Sequence, residues 1–217
     1  ITYLGDAIGM IPAKMNYSTG KFDYGSWSDA FFMPRPCMLR NDGTVAYYLD
    51  ENDYTKKEDG TASDIANTSF AGNAMMEWGR DGQKIWYAVI PDKNRSSSCT
   101  VYVSNTKINN KFHAWSFIGK DGTLKDHFYT PIYNGSLVSN KLRSLSGRTV
   151  IQNNTAAQET SYAKANGNGW NTEVYCDVEL INILLILMGK SLDTQATFGV
   201  GNMSGYVSTS NPGMLST

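Results

Sequence analysis

The sequence predicts an α+β domain, and three features of the chain indicate this class. Strand-like segments rich in aromatic and β-branched residues fill the first 145 residues and are separated by tight-turn signals. Two helical segments follow, and the C-terminal stretch is irregular and rich in Gly and Asn. With 217 residues and 41% hydrophobic content, the chain can bury a core of its own.

Short antiparallel strands are predicted between the turn signals. Asp-Gly and Asn-Gly supply the positive φ angles of tight hairpin turns. The strands between them are expected at 45–49, 84–90, 100–103 and 127–133. The turn signals are Asn41-Asp42-Gly43, Glu58-Asp59-Gly60, Arg80-Asp81-Gly82, Lys120-Asp121-Gly122 and Asn134-Gly135.

Two helices are predicted after the strands. Thr155 and Gln158 form a capping-box pattern, so a helix should begin there and end at Asn166-Gly167. The second helix, 177–188, is apolar around nearly its whole circumference, which predicts burial in the domain centre. Asp177 is expected to accept from the first free N–H groups, and Gly189 with Lys190 suits the other end of the helix.

The segment after the second helix has the composition of a recognition surface. Residues 198–217 carry no charged side chain and consist mainly of Gly, Asn, Ser and Thr around a few large residues such as Tyr206. Aromatic side chains supply rigid contact area, while small polar residues supply adaptable hydrogen bonds. Composition leaves a solvated C-terminal loop open as the alternative.

Charge and hydropathy exclude two classes of partner. The net charge is −1 and no Lys/Arg cluster occurs, so nucleic acid is not an expected ligand. The longest apolar run, 180–188, is interrupted by Asn182 and is shorter than the roughly 20 residues that a bilayer requires. No membrane insertion is therefore expected. The N-terminus has neither an initiator Met nor a signal-peptide pattern, which predicts a fragment or a processed chain.

The residues that usually perform catalysis do not form a recognisable pattern. Cys37, Cys99 and Cys176 lack the C-x-x-C spacing of a zinc or redox site, so buried thiols are predicted. His113 and His127 are too few for a metal cluster and are expected to be satisfied polar residues in strands. No G-x-S-x-G motif is present. The sequence predicts no metal, no cofactor and no enzyme activity.

Aromatic residues are more numerous than a small core needs. The chain has 13 Tyr and 5 Trp, and some are adjacent, as in Tyr47-Tyr48 and Trp86-Tyr87. Adjacent residues of a strand point to opposite faces, so one member of each pair faces outward or into another layer. A sugar platform, a subunit interface and a sheet face covered by loops all remain open.

Several short segments of the chain match a known set of proteins in the same order. They begin with Pro34-Arg35-Pro36-Cys37 and include Leu184 to Ser191 near the end. The matching segments are 34–50, 73–78, 84–87, 126–129, 133–135, 141–147, 184–191, 194–195 and 198–199. Taken together, they resemble phage-encoded tail and receptor-binding proteins of gut bacteria, and in particular the variable proteins of diversity-generating retroelements.

The resemblance implies a C-type lectin-like fold, shared with formylglycine-generating enzymes, in which a buried helix precedes a loop-rich display region. On this basis residues 1–33 are a lead-in segment, and 34–217 form the lectin-like domain. The family carries a further strand-rich stretch, so the domain is expected to be truncated here or completed by another chain. The expected ligand-binding residues are Asn202, Ser204, Tyr206, Ser208, Ser210 and Asn211.

The implied function is host attachment by a phage tail protein in the virion, outside the cell. Its expected partners are a host cell-surface protein or glycan, other virion subunits and further copies of itself. Calcium-mediated sugar binding is not expected, because Trp170-Asn171 is followed by Thr172 instead of Asp. Two alternatives remain: a purely structural virion component, and an enzyme of the sulfatase-activating kind that would bring the Cys residues together.

Overall fold

A computed structural model of the chain describes residues 1–27, 32–95 and 97–199. Small antiparallel sheets and three α-helices make up this described part, which agrees with the predicted α+β class. Contacts divide it into two compact units. Unit 1 comprises 1–33, 78–128 and 174–199, and unit 2 comprises 34–77 and 129–173. The predicted boundary at Pro34 coincides with a change of unit, and residues 1–33 belong to unit 1. The lead-in segment over 1–33 and the single domain over 34–217 both stay predictions.

The strands predicted at 45–49 and 84–90 are observed within two residues of their predicted ends. The strand predicted at 100–103 is observed one residue longer at each end, and the strand predicted at 127–133 is shorter than expected. The strands are β1 (Lys14–Asn16), β2 (Lys21–Asp23), β3 (Arg35–Arg40), β4 (Val45–Tyr48), β5 (Gly72–Trp78), β6 (Trp86–Pro91), β7 (Cys99–Ser104), β8 (Phe128–Pro131), β9 (Ser136–Val138) and β10 (Lys141–Arg143).

Three of the predicted turns have the sequence Asp-Gly-Thr and share one hydrogen-bonding pattern. The turn that joins β3 to β4 shows it: Asp42 Oδ1 accepts from the backbone N–H of Thr44 at 2.9 Å and from its hydroxyl at 2.6 Å. Asp59 with Thr61 and Asp121 with Thr123 repeat this arrangement. The Gly between each pair has positive φ. Arg80-Asp81-Gly82 instead forms a short 3₁₀ turn, so the hairpin expected there is wrong.

Unit 2 is built on an antiparallel sheet with the strand order β4-β3-β5-β8. β3 and β5 pair residue by residue, with Cys37 opposite Met75 and Met38 opposite Ala74. Because neighbouring side chains alternate across the sheet, Met38 and Cys37 enter different apolar clusters, one on each face. Burial on both faces explains why the sequence of β3 is apolar at consecutive positions.

A buried arginine joins the connecting segments of unit 2. Arg143 in β10 is buried and donates from Nε to Asn73 Oδ1 at 3.0 Å. Its Nη2 group donates to the backbone carbonyls of Phe70, at 2.7 Å, and Gly72. Burial lowers the pKa of this guanidinium. All these acceptors are neutral, so the contacts are not ion pairs. They fix the path of the chain into β5.

Unit 1 contains the hairpin β6-β7 and two apolar clusters. In one cluster the ring of Trp78 stacks on Phe128, with 5.7 Å between ring centroids, and Phe117 meets Phe128 edge-on at 5.0 Å. Leu180 and Leu184 belong to the same cluster. The other cluster contains Ala13, Trp27 and Met188, and partly buried residues from the N-terminal segment pack against it.

The helices are α1 (Ala156–Lys164), α2 (Tyr175–Gly189) and α3 (Thr194–Phe198), and the third was not predicted. The capping box of α1 is confirmed, because Thr155 and Gln158 exchange both expected hydrogen bonds. α2 begins at Tyr175, two residues before Asp177, and its N-cap residue is Val174, so the predicted cap at Asp177 is wrong. Burial raises the pKa of Asp177, and this effect outweighs the hydrogen bonds that its carboxyl receives.

α2 is not enclosed on all sides, contrary to the prediction from its apolar composition. Only Leu180, Leu184 and Met188 are fully buried. These residues are four apart and form one stripe, whereas Val178 and Asn182 are exposed. The sequence cannot distinguish the stripe, because the neighbouring half-buried positions are also Ile and Leu.

The Asp-Gly-Thr turns predict a loss of stability in acid. Hydrogen bonds from Thr44 lower the pKa of Asp42, and those from Thr61 lower the pKa of Asp59. The pKa of Asp121 is lowered mainly by the hydrogen bond from Lys125 and next by those from Thr123. Groups with depressed folded pKa values contribute stability above the unfolded value of about 3.9, and this is lost as pH falls through the folded value. The urea midpoint should therefore fall below about pH 4. A triple Asp42→Asn, Asp59→Asn, Asp121→Asn variant should show a shallower fall, and an equally steep fall would contradict the assignment.

Candidate binding surfaces

The predicted ligand-binding residues lie outside the described part of the chain. Asn202, Ser204, Tyr206, Ser208, Ser210 and Asn211 all follow Gly199, the last described residue. Their role as ligand contacts therefore stays a prediction. The described residues do show how the chain that leads to them is held.

The short helix α3 is fixed to unit 1 on several sides. Asp193 caps it, because Oδ1 accepts from the Ala196 N–H at 2.9 Å. The Tyr17 hydroxyl donates to the carbonyl of Ala196 at 3.1 Å. The Phe198 ring stacks on Phe22 with 5.6 Å between centroids and an interplanar angle of 29°. The predicted display segment therefore follows directly from a helix that hydrogen bonds and ring contacts both hold.

Gly189 allows α3 to lie close against the end of α2. A Cβ atom added there would be 2.7 Å from Thr197 Cγ2 and 3.1 Å from the ring of Phe198. The next residue, Lys190, has φ +50° and ends the helix in the left-handed conformation. The sequence predicts the helix end at Gly189 and Lys190 correctly, but the close packing against Gly189 follows only from the unpredicted α3.

The N-terminal segment satisfies carbonyl groups in the last turn of α2. The Ala13 N–H donates to the Met188 carbonyl at 2.8 Å, and the Tyr3 hydroxyl donates to the Leu187 carbonyl. Helix ends leave such carbonyls without intrahelical partners. This contact gives residues 1–33 a structural role in unit 1 that the sequence does not reveal.

The three cysteines have different environments. Cys37 in β3 is buried, Cys99 in β7 is exposed and Cys176 in α2 is half-buried. The predicted buried thiol is therefore confirmed for Cys37 and wrong for Cys99. Among the described residues, no group of three or more His, Cys, Asp or Glu side chains could hold a metal ion.

A buried carboxylate lies beside Cys37 in unit 2. Glu77 is buried and accepts from the hydroxyls of Tyr48 at 2.9 Å and Tyr129 at 2.8 Å. The Arg35 guanidinium lies 3.5 Å above the Tyr48 ring centroid. Burial, with Glu77 adding to it, raises the pKa of Cys37 to about 12. The thiol stays protonated at neutral pH and is a poor nucleophile, so this cluster supports the sheet and does not suit covalent catalysis.

An exposed aromatic pair in unit 1 was missed in the sequence. The rings of His113 and Trp115 are nearly parallel, at 11°, with centroids 4.7 Å apart. Phe112, Ala114 and Phe117 around them are buried. The alternation of Phe112, His113, Ala114 and Trp115 is the signal that could have located the pair, because alternate residues of an extended segment face opposite ways. His113 is exposed, which corrects its expected place as a satisfied strand residue.

Unit 2 has an open polar cleft of about 460 Å³. The polar groups that line this cleft are mainly hydroxyl groups and one guanidinium. Arg148 donates from Nη2 to the Ala66 carbonyl at 3.0 Å, which positions the side chain at the protein surface. The lining residues include no aromatic ring: Thr68, Ser136, Leu137, Val138, Ser139, Gly147, Arg148 and Thr149.

The different cysteine environments predict different rates of alkylation. In the folded protein Cys99 should react fastest with iodoacetamide, because it is exposed. Cys37 should react about 1,000-fold more slowly at neutral pH, since a pKa near 12 leaves far less thiolate than an ordinary thiol has. Peptide mass mapping over time measures both rates, with Cys99→Ser as the control. Comparable rates at Cys37 and Cys99 would contradict the described burial.

The packing at Gly189 predicts a destabilising substitution. Gly189→Ala should lower the free energy of unfolding by about 1–3 kcal/mol, because the added methyl group forces Thr197 and Phe198 away. Lys190→Gly is the matched control. It should leave stability unchanged or raise it, since glycine adopts the positive φ without strain. Urea denaturation measures both effects, and a fully stable Gly189→Ala variant would show that α3 does not lie against this residue.

Comparison with known proteins leaves the function to be inferred from the chain itself. No protein-family model, no curated protein and no solved structure matches the sequence. Over the described ranges, none of the helices has the length and apolar character that crossing a bilayer requires. The candidate surfaces therefore rest on their geometry and chemistry.

Proposed function

We propose that this chain is a phage virion protein of the tail or receptor-binding kind, which attaches to a host cell-surface protein or glycan. It displays a neutral binding surface on a C-type lectin-like scaffold and has no enzyme activity. Copies of the chain assemble with one another and with other virion subunits outside the cell. Multivalency then converts weak binding at each site into firm attachment.

The anchoring of α3 is the observation that carries the proposal. A recognition segment binds more tightly when its base is preorganised, because less conformational freedom is lost on binding. Tyr17, Phe22 and Gly189 fix the helix that leads into residues 200–217. The side chains of this segment are small, polar and uncharged, with Tyr206 among them, as in other adaptable recognition surfaces.

The cysteine environments favour binding over sulfatase-activating chemistry. Such an enzyme requires reactive thiols that meet in a pocket. Cys37 is buried and its pKa is raised to about 12, so it does not offer a thiolate at neutral pH. Cys99 is exposed on a two-stranded hairpin. Neither environment suits a shared reactive site.

A structural virion component is the second candidate, and the β6-β7 hairpin favours it. Val89 and Tyr102 are large apolar side chains that this hairpin exposes. A two-stranded sheet also presents edge backbone groups to which a neighbouring subunit can add a strand. On this alternative the virion uses unit 1 for packing, and residues 200–217 are covered by a neighbouring chain.

Binding by the assembled protein tests the proposal. The oligomeric full chain is applied to glycan arrays and to cell-surface proteins of gut bacteria. Tyr206→Ala combined with Asn202→Ala and Asn211→Ala should lower binding at least tenfold, since rigid contact area and hydrogen bonds are both removed. Tyr175→Ala is the control, because it removes an exposed ring that lies outside both the display segment and the β6-β7 hairpin.

Each outcome has a definite meaning. Binding that the triple substitution abolishes and Tyr175→Ala preserves supports attachment through residues 202–211. Unchanged binding by the triple variant contradicts the display role of that segment. If the assembled protein binds nothing and Tyr102→Ala prevents assembly, the chain is an architectural component.

A further inference from the structure

The aromatic pair His113 and Trp115 occupies a firmly held part of unit 1. The backbone of His113 pairs with Tyr87 in β6 through two hydrogen bonds of 3.0 Å. Trp115 begins a 3₁₀ turn that ends at the buried Phe117. The Ser116 hydroxyl donates to the Cys176 carbonyl in α2 at 3.0 Å. The two exposed rings therefore stand on backbone that is fixed from two sides.

Trp115 differs from the other tryptophans of the chain. Trp27 and Trp78 are buried, and Trp86 and Trp170 are half-buried, while Trp115 is 48% exposed. A half-exposed ring on rigid backbone offers flat apolar area that a ligand can cover with little loss of conformational freedom. The stack with His113 also fixes the plane of the ring. These properties suit a ring that completes its packing with a ligand.

The polar atoms of both rings are available to a ligand. Within the described part of the chain, neither the Trp115 indole N–H nor a ring nitrogen of His113 makes a hydrogen bond. Indole offers one donor, and imidazole offers a donor and an acceptor in its neutral form. The pair thus combines a flat apolar surface with polar atoms at its edge.

This combination fits the chemistry of a sugar ring. The face of an aromatic ring is negative, so it attracts the polarised C–H groups on the flat side of a pyranose. The sugar hydroxyls lie around the rim, where the ring nitrogens can donate or accept. A neutral sugar needs no cation or carboxylate in its site. A nucleic-acid base would stack similarly, but the net charge of −1 and the lack of a Lys/Arg cluster give no hold on its phosphates.

We infer that the stacked Trp115 and His113 form a binding subsite for a neutral pyranose sugar. The subsite lies outside the predicted display segment 202–211. The subsite would give the protein a second point of contact with the host surface. This biological role rests on the proposed attachment function. Binding at the subsite can be measured independently of the display segment, so failure of one proposal is distinguishable from failure of the other.

The indole N–H signal of Trp115 in ¹H–¹⁵N NMR spectra of the full chain tests the inference directly. The probes are methyl β-galactopyranoside, methyl α-mannopyranoside, methyl β-glucopyranoside and N-acetylglucosamine. At least one should shift the Trp115 signal with a Kd of about 1–10 mM, the range of a single weak site. The indole signals of the buried Trp27 and Trp78 should not move and serve as internal references.

Substitutions separate stacking from a general loss of structure. Trp115→Ala should abolish the binding of that sugar, seen by saturation-transfer NMR, whereas Trp115→Phe keeps a flat ring and should retain binding within about tenfold. His113→Ala should weaken binding several-fold. Tyr102→Ala is the matched control, because its ring is 45% exposed but tilted at 55° against Phe112. It should have no effect.

Three results would overturn the inference. The first is that no probe shifts the Trp115 signal at concentrations of about 50 mM, well above the expected Kd. The second is that binding survives in Trp115→Ala. The third is that Trp115→Ala dissociates a homo-oligomer in sedimentation velocity while sugars have no effect, which assigns the ring to a subunit interface. A sugar-bound chain that still fails to attach to cells would refute the attachment role and leave the subsite standing.

Discussion

Burial of one stripe on α2 is the constraint on which unit 1 depends. Leu180 and Leu184 enter the cluster that contains Trp78 and Phe117, and Met188 enters the cluster that contains Trp27. One helix therefore contributes to both apolar cores of the unit. Fully burying a Leu or Met side chain stabilises a fold by roughly 1.5–3 kcal/mol. Because the three residues lie on one helix, this helix also fixes the positions of the two cores relative to each other.

The position of the stripe also sets where the chain goes after α2. Because the last turn is fixed through Met188 and its carbonyl, Gly189 reaches a place where α3 can lie against it. At the other end of the helix, the Cys176 carbonyl accepts from Ser116 and thereby holds the turn that carries Trp115. α3 and the turn that carries Trp115 are thus held at opposite ends of the same helix.

Local features were predictable, whereas features that depend on tertiary contacts were not. The Asp42-Gly43 turn, the capping box of Thr155 and the end of α2 follow from backbone and side-chain preferences within a few residues. The burial of a single stripe on α2 was not predictable, because Ile and Leu occur on its other sides as well. α3 was missed because five residues give no helical period, and its position depends on Tyr17, which is 178 residues away from Gln195. The outward ring of Trp115 depends in the same way on the distant Tyr87 and Cys176.

Hydrogen exchange of the α2 amides tests the central claim most directly. If the buried stripe holds the helix between two cores, amides from residues 180–188 should exchange only through unfolding of the whole unit, while the first turn around the exposed Tyr175 exchanges faster. Exchange of residues 180–188 as fast as that of the first turn would show that α2 opens independently. A helix that opens in this way could not hold α3 or the turn that carries Trp115.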